Sequence, residues 1–173
     1  MLWFWRFILY SFLGFLLEVA FARATNSAKQ DRKCLLILPL CPVYGFGAQL
    51  ILYLAERLNA GPLGVMVIGF LSASAAEYLM SLFYDYALGV EFWDYSGLPL
   101  NLDGRVCLLF SAIWTVLALA LVYWAAPWVD QFIVRIPAAL GVPMMILLIS
   151  DLLVSSIALR RTGTTDVLRW YRP

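Results

Sequence analysis

Three carboxylates stand where a carboxylate is costly. Glu18, Glu77 and Asp151 each interrupt a long apolar run, and a charge at the centre of a membrane span costs about 2.5–3.5 kcal/mol on insertion scales. Their chemistry is that of a proton or cation site, or of a hydrogen-bonded or ionic tie between helices. Arg105 is the nearest candidate counter-ion. One arginine cannot neutralise three carboxylates, so at least one is expected to be protonated or to hold a cation. Arg105 closes the longest polar interruption in the chain, residues 91–105, EFWDYSGLPLNLDGR. That stretch also offers Trp93, Asp94, Tyr95 and Asn101 as candidate ligand-binding residues, and Asp103 as a helix N-cap. A second candidate group is the turn Pro42-Val43-Tyr44-Gly45-Phe46-Gly47, with Tyr44, Gly45 and Gly47 as possible ligand contacts. Gly45-Phe46-Gly47 is not a nucleotide fingerprint, because no strand precedes it and the third glycine is missing. The chain has no histidine, and Cys34, Cys41 and Cys107 lack zinc spacing. No metal and no cofactor is therefore assigned. A net charge of +1 gives no argument for nucleic acid.

The elements that position these residues follow from composition. The 173 residues are 64% hydrophobic and 13% charged, against about 25% charged in soluble domains. The expected fold is all-α: a single-domain polytopic membrane helix bundle over residues 1–173 with about five transmembrane helices. The spans are predicted near 2–22, 43–58, 63–88, 106–126 and 138–159, with residues 91–105 as an interfacial loop. Residues 35–42 are apolar but broken by Pro39 and Pro42, so a re-entrant or interfacial segment is expected there. Helical spacing gives each acid a small or polar stripe: Ser11, Gly14, Glu18 and Ala22; Ser74, Glu77, Ser81 and Asp85; Asp151 and Ser155. Stripes of this kind face protein or water, not lipid.

Five spans place the first loop, the 91–105 loop and the tail on one side. That side holds nine of the twelve Lys and Arg residues, the other only Arg6, Arg57 and Arg135. The positive-inside rule then puts the C-terminus in the cytoplasm and the N-terminus outside. Glu18, Glu77 and Asp151 all fall in the cytoplasmic half, with Glu77 deepest at about 16 Å from the inner end of its helix.

Several of these motifs together resemble a known family. Pro42-Val43-Tyr44-Gly45-Phe46-Gly47, the pair Glu77-Tyr78, the run Trp93-Asp94-Tyr95-Ser96, and Asn101-Leu102-Asp103-Gly104-Arg105-Val106-Cys107-Leu108 are similar to the motifs of the bacterial ABC-transporter permease family of the CmpB type. Glu18 matches a glutamate of its first span. The likeness covers most of residues 1–126. It departs at residues 33–40, which are more apolar, and at Thr115 and Ala118, where glycine is common. The resemblance implies a multi-pass protein of the bacterial plasma membrane, a transport subunit whose partners are the lipid bilayer and a separate ATPase subunit or further copies of itself. The chain has no Walker A sequence. A membrane-embedded enzyme remains the alternative, with Asp94 and Glu77 as acid–base groups and Arg105 clamping a lipid or polyprenyl phosphate. A non-catalytic membrane scaffold is the third reading.

The orientation is open to direct test. A cysteine placed at Gly97 is expected to resist an impermeant thiol reagent applied to intact cells; ready labelling from outside would reverse the assignment.

Overall fold

The computed structural model describes residues 1–27 and 33–169. Lys29, Arg32 and Arg172, counted above for the charge bias, lie outside the described residues. Five helical rods make up the chain. They are α1 (Leu2–Ala24), α2 (Pro42–Arg57), α3 (Pro62–Phe83) with a wider turn at Tyr84–Leu88, α4 (Leu108–Ala120) running through a second wider turn at Leu121–Ala125 into α5 (Ala126–Val134), and α6 (Gly141–Thr162), entered by a tight turn at Ala138–Leu140. Four are long and apolar enough to cross a bilayer: Leu2–Ala24, Pro62–Leu88, Leu108–Val134 and Ala138–Thr162. The protein is thus an all-α polytopic membrane bundle. The wider turn at Leu121–Ala125 has a local cause. Pro127 lacks an N–H and its ring crowds the carbonyl one turn back, so the helix opens before it.

Both ends of the fourth rod differ from the sequence expectation, and it runs on to Val134 rather than ending near residue 126. The fourth rod starts at Leu108 rather than at residue 106, because Val106–Cys107 (β2) pairs antiparallel with Asn101–Leu102 (β1) in a small hairpin. Asp103 therefore does not cap that helix, whose N-cap is Cys107. Asp103 sits in the hairpin turn at φ +52° and accepts a hydrogen bond from the Tyr78 hydroxyl at 2.8 Å.

Glycine sets the helix spacing. A Cβ at Gly14 would lie 2.1 Å from Cγ of Tyr44, and one at Gly69 would lie 2.3 Å from Cβ of Ala118. Close approach of α1 to α2 and of α3 to α4 therefore needs these residues. The space beside Ala118 is supplied by Gly69 on the facing helix. At the far end of the bundle Arg6 holds Asp130 with two hydrogen bonds of 2.8 and 2.6 Å, tying the start of α1 to α5.

The short helix α2 is assembled differently. α2 has 16 residues, about 24 Å at 1.5 Å per residue, short of the roughly 30 Å hydrocarbon core. Its amino end is already at mid-depth: the N–H of Cys41 donates to the carbonyl of Ser11, in the middle of α1. The remainder of the path is the non-helical segment 33–41. Irregular backbone at membrane depth requires its polar groups to be satisfied by protein, and here the donors of residues 36–41 can be followed one by one. Leu36 donates to Oγ of Ser155 at 2.9 Å, Ile37 to the Asp151 carboxyl at 3.1 Å, and Leu38 to Asp151 Oδ2 at 2.6 Å. Leu40 bonds back to Leu38, and Pro39 and Pro42 carry no N–H. The prolines that break the helix also remove two donors the bilayer would have left unpaired. Asp151, fully buried, is thereby committed to the backbone of this segment. Its deletion leaves Ile37 and Leu38 without acceptors.

Asp151→Ala is accordingly expected to destabilise the protein by about 2–5 kcal/mol, the cost of two orphaned buried donors. Asp151→Asn, which keeps one acceptor oxygen, should lose less. Thermal unfolding in detergent measures both, and an Ala variant as stable as wild type would remove Asp151 from this role.

Candidate functional site

The site begins with two glutamates on two helices. Glu18 lies one turn beyond Gly14 on α1. Because Gly14 has no side chain, the Tyr44 ring passes over it, and the Tyr44 hydroxyl reaches Oε1 of Glu18 at 2.7 Å. Glu77 lies three turns inside α3 from its loop end. It accepts from the Tyr95 hydroxyl at 2.9 Å on Oε1 and more weakly from Nε1 of Trp114 at 3.4 Å on Oε2. Both glutamates line one cavity of about 330 Å³, together with Tyr44, Tyr95, Trp93, Trp114 and Phe110. Lys33 and Arg169 also border it. The Lys33 ammonium donates to the Leu36 carbonyl at 2.6 Å and Arg169 pairs with Asp166 at 2.5 Å. The amino end of α2, through Cys41 and Val43, forms another wall.

Residues 91–105 fold back into the bundle to complete this cavity. Asp94 accepts from the N–H and the hydroxyl of Ser96 at 2.8 and 2.9 Å, closing a tight turn. These bonds hold the exposed Asp94 carboxyl below the usual carboxylate range. Asn101 donates to the Leu98 carbonyl at 2.7 Å and accepts from the Gly104 N–H at 3.0 Å. Gly104 stands at φ +68°, and a Cβ there would meet Asp94 Oδ1 at 2.8 Å, so only glycine fits on both counts. The Tyr95 N–H donates to the Gly104 carbonyl at 2.7 Å and the Trp93 indole to the Arg105 carbonyl at 2.9 Å. Thus fixed, Tyr95 stacks on Phe110 with ring centroids 4.8 Å apart and points its hydroxyl inward to Glu77. Burial, then the neighbouring Glu77 carboxyl, push the Tyr95 phenol well above its ordinary value. It is a neutral donor at physiological pH.

The predicted residues therefore separate into groups. Glu18, Glu77, Tyr44, Tyr95 and Trp93 come together at the cavity. Arg105 does not pair with the three acids: its guanidinium donates to Oγ of Ser81 at 3.0 Å and to Asp85 Oδ2 at 2.6 Å. The Asp85 hydrogen bond raises its already high pKa, against a smaller lowering from lost solvent. Asp85 is the counter-ion that the spacing argument listed only as part of the α3 stripe. Asp151 is engaged by segment 33–41, and Asp94 and Asn101 build the loop. Gly45 packs on α1, where a Cβ would lie 2.3 Å from Oγ of Ser11, while Gly47 faces Ala76 of α3. Trp114 was missed: only contact across the bundle distinguishes it from the other aromatic residues of an apolar helix. Among the described residues no cluster of three or more metal-ligating side chains occurs.

A helical membrane bundle with a two-carboxylate cavity, closed by a loop and entered by a broken crossing, is the class this geometry defines. The chain belongs to the family described as "Putative ABC-transporter type IV", the CmpB type, whose sequence profile matches residues 5–158. Searches of curated proteins and of solved structures returned no match.

Removing the hydroxyl in Tyr95→Phe is expected to cost about 1–2 kcal/mol of stability and to make the 91–105 loop more sensitive to limited proteolysis. A melting temperature and cleavage rate equal to wild type would show that the Tyr95–Glu77 bond does not hold the loop.

Proposed function

We propose that this chain is a small permease-like transport subunit in which Glu18 and Glu77 hold a proton or small cation near the cytoplasmic face of the bacterial plasma membrane. The observation that carries this reading is that two acids share one cavity and the side chains that donate to them, Tyr44, Tyr95 and Trp114, are neutral. Among the described residues neither glutamate takes part in an ion pair; the arginines nearest the loop and tail are engaged by Asp85 and Asp166. Two carboxyl groups without a basic partner require a proton or an external cation to share the space. The broken second crossing supports the same reading, since interrupted helices with irregular backbone at mid-depth are a recurrent way of building transport sites. Five crossings leave little room for a private pathway, which favours assembly with further copies or with a separate ATPase subunit. The enzyme reading finds less support: Asp94 is bound by Ser96 outside the cavity, and Arg105 is held by Asp85 rather than free to clamp a phosphate.

Glu77→Gln keeps shape and most hydrogen bonding while removing titration. In proteoliposomes loaded with a pH-sensitive dye, wild type is expected to carry a proton flux under an imposed potential, Glu77→Gln to lose it while remaining folded, and Glu77→Asp to keep part of it. A Gln variant equal to wild type in flux and thermostability would overturn the coupling role.

A further inference from the structure

The carboxylate cavity does not end at its own walls. A second, almost wholly apolar groove of about 650 Å³ runs along α1, α2 and α4–α5. The two spaces share Leu17, Tyr44, Trp114 and Leu117. Two of these are the hydrogen-bond partners of the acids: Tyr44 of Glu18 and Trp114 of Glu77. The Tyr44 and Trp114 rings pack on each other with centroids 5.0 Å apart, so the groove ends one side chain away from the two carboxyl groups. The groove owes its width to alanines, among them Ala20, Ala48 and Ala120. Its rim residues Leu16 and Trp124 are 45% and 73% exposed, so it opens sideways where lipid would lie.

From this shared wall we infer that the site takes a cationic amphiphile, an alkylammonium compound with its hydrocarbon chain in the groove and its ammonium between Glu18 and Glu77, seated as the Tyr44 and Trp114 side chains part. The inference rests on the cation-site reading of the two glutamates and adds the class of substrate. Three features select the charge sign. The acids have only neutral donors. The walls around them are aromatic faces, Tyr44, Tyr95, Trp93 and Trp114, suited to an ammonium group. Arg169 is neutralised by Asp166 and the Lys33 ammonium donates to the Leu36 carbonyl, which leaves two carboxyl groups against one uncompensated base. An amphiphile seated with its head toward the loop and its chain toward the bilayer centre also has the orientation of a lipid in the cytoplasmic leaflet.

The test is equilibrium binding to the purified full chain in nanodiscs, read by tryptophan fluorescence, with four probes: dodecyltrimethylammonium, tetramethylammonium, an uncharged dodecyl polyoxyethylene ether and dodecyl phosphate. Dodecyltrimethylammonium is expected to bind at least about tenfold tighter than the others, over the ether through its ammonium–aromatic and charge contacts and over tetramethylammonium through burial of its chain. Glu77→Gln and Glu18→Gln should remove its advantage over the uncharged ether. Ala20→Phe, on the lipid-facing rim, should reduce it to the affinity of tetramethylammonium and leave the latter unchanged. Equal binding of tetramethylammonium and dodecyltrimethylammonium would overturn the amphiphile inference alone and leave the cation site standing. Failure of both ammonium probes to outbind the ether would overturn the cation site as well. Tighter binding of dodecyl phosphate would replace the cation by an anionic lipid headgroup.

Discussion

In an apolar slab polar groups must find their partners within the protein, and the placing of segment 33–41 and of the 91–105 loop follows from that constraint, although the buried hydroxyls of Tyr10 and Ser11 have no partner among the described residues. Residues 36–38 run through the bundle without helical hydrogen bonds because Ser155 and Asp151 of α6 receive their N–H groups, and Pro39 after them carries none. That arrangement lets α2 begin inside the bundle. With its amino end there, Tyr44 stands beside Gly14 and reaches Glu18. The same rule acts on the other wall, where Glu77 draws the Tyr95 hydroxyl three turns inward and with it the whole 91–105 loop. The cavity is what remains between these two constructions.

Much of the architecture was legible in the residues. The all-α membrane class followed from composition, and the helix stripes carrying Glu18, Glu77 and Asp151 followed from spacing. Proline placement pointed to a broken segment at 35–42. What spacing does not supply is which acid meets which donor. Asp151 and Glu77 look alike in the sequence, each a lone acid with a serine four residues on. Only the position of segment 33–41 against α6 makes one a backbone anchor and the other a cavity wall. Arg105 misled for the same reason. It was weighed against the deep acids, whereas Asp85, nearer the loop end of α3, takes it. The hairpin of residues 101–107 was hidden by its brevity: two residues per strand give no alternation to read.

The division of labour among the acids is the functional content of the fold. Asp85, Asp130 and Asp166 are neutralised by arginines. Asp94 and Asp103 shape the loop, and Asp151 holds backbone. Glu18 and Glu77 are left with two phenols and an indole, neutral groups that orient a carboxyl without satisfying its charge. A family of transport-related membrane proteins gives that residue pair a natural use.

The central claim is that Glu18 and Glu77 form one accessible site that responds to cations. Infrared difference spectroscopy of their carboxyl bands tests it most directly, with Glu18→Gln and Glu77→Gln to assign the bands. The account predicts that both bands exchange in heavy water and shift when tetramethylammonium is added, and that removing one glutamate moves the titration midpoint of the other. Bands that exchange slowly, ignore the cation and titrate independently would mean two separate structural ties, and would contradict the account.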